Sequence, residues 1–219
     1  MYAALLSFSF LINILLDLGL TNYNNRNISQ NHQLLRKYFS NIVALKLILA
    51  VVYAGVALII GKSSLLGYDN IEMKILGLLV LNQFLTSFTL YLRSNIAGMQ
   101  MHTINSLVSV MDRGLMIIIC AVLLHGNVTD QPFKIEWFVY AQTAAYLFTM
   151  LFCFVIVLRK SRFPKFKFDG RFLLVVLRQS YPYAILVLLM SVYTRIDVVM
   201  LKRMLIDGET QSSVYMHGF

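Results

Sequence analysis

Charge is scarce in this 219-residue chain: 13% of its residues are Asp, Glu, Lys or Arg, about half the share found in a water-soluble domain. Cysteine is nearly absent. Cys120 and Cys153 both lie inside apolar runs, where a thiol behaves as a small hydrophobe, and no CxxC or Cys/His cluster exists. That excludes a disulfide scaffold and a zinc site of the usual spacing. His32, His102, His125 and His217 are dispersed, with no HExxH, no nucleophile elbow and no Walker A loop. The sequence therefore assigns no catalytic residue, no metal ligand and no cofactor. Proline is also rare: Pro132 and Pro164 fall in connectors, and Pro182 sits where a helix is expected to begin.

What is present is hydrophobic, at 58% of residues. Apolar blocks lie near 2–20, 41–61, 75–92, 104–125, 137–158 and 182–201. At about 20 residues per crossing, these predict about six transmembrane helices. The blocks are continuously apolar, so they satisfy their backbone as helices; a barrel would alternate in segments of about ten residues. The predicted fold class is an all-α polytopic membrane helix bundle, a single transmembrane domain over 1–219. Between the blocks run short polar connectors, among them an Asn/Gln-rich 21–40 and a basic loop 159–178.

The net charge of +9 comes from basic residues placed between hydrophobic blocks, which points to the lipid bilayer and not to nucleic acid. Odd connectors carry Arg26, Arg36, Lys37, Arg93, Arg159, Lys160, Arg162, Lys165, Lys167, Arg171 and Arg178. Even ones carry only Lys62, Lys74, Lys134, Lys202 and Arg203, together with most of the acids. By the positive-inside rule the odd connectors, including 159–178, are cytoplasmic. This places Met1 outside with no preceding helix, and the first apolar run is short before Asp17. The expectation is a fragment of a longer polytopic protein. A signal peptide over 1–16 is the rival, but it lacks a basic start and a small-residue cleavage site.

Charges within crossings are costly in lipid and mark partners or wet cavities. Asp17, Lys46, Asp112, Arg113, Arg195 and Asp197 qualify. Arg113 and Arg195 lie deep in their blocks, about 13 and 20 Å from the cytoplasmic ends at 1.5 Å per residue. Asp17 and Lys46 lie nearer a boundary, where a lysine stem can snorkel and a carboxylate can cap or pair. Asp112 and Arg113 are adjacent and do not share a helix face, so at least one needs a partner elsewhere; Arg195 and Asp197 face nearly opposite ways. Asn13, Asn82, Gln83, Thr86, Ser87 and Gln142 are expected to hydrogen-bond between helices. Trp137, Tyr140, Tyr91 and Tyr68 are expected at the membrane interfaces. The sequons at Asn27 and Asn127 are too short to carry weight.

Three stretches in order carry a resemblance. LLDLGLTNYNNRNIS (15–29), with its Asp-Leu-Gly turn, aromatic and arginine, resembles the end of the second helix of polysaccharide-export flippases. LYLRSNIAGMQMHTINSLVSVMDRGLMI (90–117) is similar to their fourth-to-fifth helix region, and LRQSYPYAILVLLMSVYTRIDVVMLKRML (177–205) to their seventh helix. The family is the oligosaccharide (O-antigen type) flippase branch of the multidrug/oligosaccharidyl-lipid/polysaccharide exporter superfamily. The resemblance implies a fold of two six-helix lobes, of which this chain holds family helices two to seven. It implies a transporter, not an enzyme, in the bacterial cytoplasmic (inner) membrane. Its substrate would be a lipid-pyrophosphate-linked oligosaccharide repeat unit of lipopolysaccharide-type surface glycan, and its partners a polysaccharide polymerase and export machinery.

Arginine suits phosphate geometry, so Arg93, Arg113 and Arg195 are the substrate-binding candidates. Asp17, Asp112 and Asp197 either accept a coupling H+ or Na+ or hold the arginines. The alternatives are a multidrug exporter of the same superfamily, a membrane-embedded glycan-modifying enzyme and an inactive truncated product.

Overall fold

The computed structural model describes residues 13–31, 35–62, 70–125, 135–161 and 170–204. Every regular element among them is an α-helix: α1 (Ile14–Asp17), α2 (Leu20–Gln30), α3 (Leu35–Lys62), α4 (Asn70–Gly98), α5 (His102–His125), α6 (Ile135–Ser161) and α7 (Gly170–Met204). Five of these contain stretches long and apolar enough to cross a membrane, namely Phe39–Ile59, Met73–Gly98, His102–Leu123, Trp137–Lys160 and Leu173–Met190. The all-α, multi-pass architecture is the one that the apolar blocks predict. Most of the first block, 2–20, lies outside the described residues.

The structure departs from the sequence pattern in three places. The polar stretch after Leu20 is not all connector, because residues 20–30 form α2, which buries Leu20, Tyr23, Asn24 and Ile28 against α4 and α7. Pro182 does not begin a helix: α7 starts at Gly170 and carries the proline inside it. Starting there, α7 takes up residues 170–178, assigned above to the basic loop; likewise α6 runs on to Ser161. Tyr91 is no interfacial anchor. It is fully buried in α4, stacked on Phe39 of α3 at a centroid distance of 6.2 Å, and its hydroxyl donates to the Phe39 carbonyl at 3.3 Å. Trp137 and Tyr140, at the start of α6, are exposed; Tyr68 lies outside the described residues.

Helix α4 is the hub, packed mainly against α6, α2 and α3, while α5 rides on α6. Lipid is as apolar as leucine, so fit and hydrogen bonds rather than water exclusion hold such helices together. The fit is aromatic where α3, α4 and α6 meet. Phe154 lies 6.2 Å from Phe39 and 6.5 Å from Phe88, which in turn lies 5.7 Å from Phe84. A second cluster, with Leu16, Tyr53, Ala57, Leu76 and Leu79, continues the contact of α3 and α4 toward their other end.

Helix α4 ends in a tight turn. Gln100 has a left-handed φ of 61°, its N–H donates to the Ala97 carbonyl at 2.8 Å, and the Met101 N–H reaches the Ile96 carbonyl at 3.2 Å. These are the two bonds of a Schellman motif, with Met101 packed in the same apolar cluster as Ile96.

Close helix approach replaces side-chain bulk where α2 crosses the end of α4. A Cβ on Gly98 would lie 2.9 Å from both Cβ and Cγ2 of Ile28, a β-branched side chain stiff at χ1. Gly98→Ala is expected to cost a net ~1–2 kcal/mol, overpacking outweighing the gain in helix propensity. Thermal unfolding of the purified protein checks this against Gly77→Ala, where a Cβ meets nothing within 4 Å and the midpoint should hold or rise.

Candidate functional site

On α5 the polar residues His102, Asn105, Ser106, Ser109, Asp112 and Arg113 recur at intervals of three and four, so they form one stripe on a helix of otherwise apolar composition. His102, Ser106, Ser109 and Arg113 are exposed, and Asn105 and Asp112 half-buried. The span begins at His102, which puts Arg113 about 16 Å along the axis, close to half the thickness of a bilayer core. A guanidinium at that depth does not face lipid tails at reasonable cost, so the stripe requires either water or a polar partner.

The turn at Gln100 folds α4 back beside this stripe and delivers Arg93 to it. Arg93 Nε donates to Asn105 Oδ1 at 3.0 Å and its Nη2 donates to Ser109 Oγ at 2.7 Å. Both acceptors are neutral, so the fork is oriented while no carboxylate among the described residues pairs with it. Arg113 follows Ser109 by four residues, one turn or about 6 Å along the same face. Among the described residues Arg113 makes no ion pair. The neighbouring Asp112 Oδ1 accepts the Arg113 backbone N–H at 2.8 Å rather than the guanidinium, and the separate partner expected for Asp112 or Arg113 is not found among the described residues. Arg195 and Asp197 lie in α7, and their side chains fall outside the described residues.

Asp17 belongs to a separate centre. The chain breaks between α1 and α2 at Leu18 and Gly19, with φ of 44° and 75°. The break exposes the last carbonyls of α1. Lys46 of α3 fills the space: its Nζ donates to Asp17 Oδ1 at 2.5 Å, to Ser87 Oγ of α4 at 2.9 Å and to the Leu16 carbonyl at 3.1 Å. Thr21 Oγ1 also donates to Asp17 Oδ1. Lys46 does not snorkel as its sequence position suggests. It is 1% exposed against 28% for Asp17, because the carboxylate and carbonyl it needs are supplied inside the bundle.

A third polar region was hidden from the sequence by the connector-like composition of α2. Asn24 Nδ2 donates to Ser94 Oγ at 2.9 Å and to Asn95 Oδ1 at 3.1 Å, joining α2 to α4. Tyr23 donates to Gln179 Oε1, and Arg26 Nη1 donates to the Tyr183 hydroxyl at 2.7 Å, joining α2 to α7. Of the polar residues expected to bridge helices, Ser87 does so through Lys46. Thr86 instead donates to the Asn82 carbonyl of its own helix at 2.9 Å; Gln142, among its interactions, donates to Tyr146 one turn along α6 at 3.0 Å. The Asn82 side chain is 97% buried, from its 3% exposure, with neither amide atom paired among the described residues.

The geometry defines a multi-pass membrane protein with an open cationic face on α5 and a caged ion pair at a helix break. The family model described as polysaccharide biosynthesis protein matches residues 1–215, and the chain belongs to that family. Neither a curated protein nor a solved structure matches it.

Proposed function

We propose that the chain is the lobe of a flippase that carries a lipid-pyrophosphate-linked oligosaccharide across the bacterial cytoplasmic membrane, with Arg93 and Arg113 receiving the phosphates. The observation that carries this reading is the uncompensated Arg113, exposed at mid-bilayer depth one turn from the Arg93 fork. A diphosphate needs cations at depth to leave the headgroup layer, and planar guanidinium groups meet its oxygens two at a time. Arg195 would add a third cation from α7. Transport follows from rocking of helix bundles about a midplane site, with surface-glycan polymerase and export machinery downstream. A multidrug exporter for organic cations would favour acids and aromatics over arginines on this face.

In the full-length protein expressed in cells, at matched membrane levels, Arg113→Ala is expected to lower surface-glycan export at least about tenfold, equivalent to ~1.4 kcal/mol of lost binding in transit. Arg113→Lys should recover only part of it, because a point charge does not reproduce the bidentate fork. Export at wild-type rate in Arg113→Ala would remove the residue from the site.

A further inference from the structure

We propose that the oxygen cage around Lys46 is a monovalent-cation seat, filled in this chain by the lysine's own ammonium and open to sodium when that ammonium is removed. Three kinds of oxygen converge on the Nζ: the Asp17 carboxylate, the Leu16 carbonyl and the Ser87 hydroxyl. Hard cations take this donor set. The carbonyl comes from the C-terminal end of α1, where the helix stops and the chain turns through Leu18 and Gly19. Unwound carbonyls at helix ends inside a bundle are where membrane transporters hold sodium. Here the cation arrives on a tether, from α3, and is almost completely buried.

The seat also has a structural consequence. The chain that supplies two of its donors, Leu16 and Asp17, continues directly into Gly19, whose Cα lies against the α7 backbone at Ser180 and Ala184. Occupancy of the seat therefore fixes the position of the α1–α2 break under α7. With the ammonium present the site has no vacancy, and the fold is independent of sodium. Lys46→Ala leaves Asp17, Leu16 and Ser87 facing the space of the ammonium and of three methylenes behind it, with a single net negative charge in a partly buried pocket.

The test reads stability rather than transport, so its outcome is separable from that of the flippase reading. Full-length protein in lipid nanodiscs is unfolded thermally in sodium chloride and in choline chloride at equal ionic strength. The wild type should unfold at the same temperature in both. Lys46→Ala and Lys46→Gln should unfold lower in choline, and in sodium Lys46→Ala should rise by about 3 °C or more. The rise should vanish in Asp17→Asn with Lys46→Ala. Sodium-dependent stability of the wild type, or an equal response of Lys46→Ala to both salts, would overturn the proposal. Failure of both single variants to accumulate in sodium-rich medium would do the same, since the ion would then have been at hand and had not replaced the ammonium.

Discussion

Gly19→Val should abolish accumulation of the folded protein. The glycine has a φ of 75°, a left-handed conformation that costs a residue with a Cβ about 1–2 kcal/mol and a β-branched one more. The steric cost is added to this. A Cβ at this position would lie 2.5 Å from the Ala184 nitrogen, 2.7 Å from the Ser180 oxygen and 2.8 Å from the Tyr183 Cβ. Two of these three atoms are helix backbone, which cannot rotate away. Relief would require α7 to retreat from the α1–α2 break, giving up the Tyr23–Gln179 and Arg26–Tyr183 bonds. Conformational strain and overpacking together reach about 3–5 kcal/mol, a large part of a typical stability of about 5–15 kcal/mol. Gly55→Val in α3 is the control, since a Cβ there meets nothing within 4 Å. Size-exclusion profiles of the two variants from the same membranes give the comparison, and a monodisperse Gly19→Val peak at wild-type yield would refute the close approach.

Asp17→Ala should destabilise the protein by about 3–5 kcal/mol, the usual cost of removing one partner from a buried ion pair. The reason is what remains. Lys46 keeps a carbonyl and a hydroxyl but loses its counter-charge while its ammonium sits at 1% exposure. The same physics predicts that Asp17→Ala combined with Lys46→Met recovers most of the loss, because an apolar side chain of similar length fills the space without a charge to compensate. Chemical denaturation or thermal unfolding of the two single variants and the double variant closes the cycle. A double variant no better than Asp17→Ala alone would show that the pair is not the unit that matters.

The long apolar stretches made α3 to α6 legible, since only continuous hydrophobicity and length were needed to find them. Arg113 was legible for a related reason: a charge so far from both ends of an apolar block has to be accounted for. The parts that the sequence concealed share a physical cause. Helix α2 reads as a connector because its composition is mostly polar; Asn24 Nδ2 is paired with Ser94 and Asn95, seventy and seventy-one residues away in the chain, and no hydrophobic period announces that. Pro182 reads as a helix start because proline is tolerated there, but the segment before it, Leu173 to Val176, buries its own apolar face and extends the helix by more than ten residues. Lys46 reads as a snorkelling side chain because its acceptors are a backbone carbonyl exposed by a break and a carboxylate beyond it. The carboxylate is visible in the sequence, but the carbonyl, and the convergence of both on Lys46, are not until the break is known. Arg93 reads as a candidate cation with no partner named; the reversal at Gln100 is what brings it against Asn105 and Ser109.

That reversal has a mechanical consequence. Only Met99, Gln100 and Met101 separate α4 from α5, and both main-chain bonds of the turn are made, so the joint between the two helices is short and locally ordered. Arg93 and Arg113 lie on either side of this turn, and the bonds from Arg93 to Asn105 and Ser109 tie the two helices together beside it. On the flippase reading proposed above, access to them would be gained and lost through displacement of helices around this turn, and a cargo would meet the same pair of charges on entry and on departure.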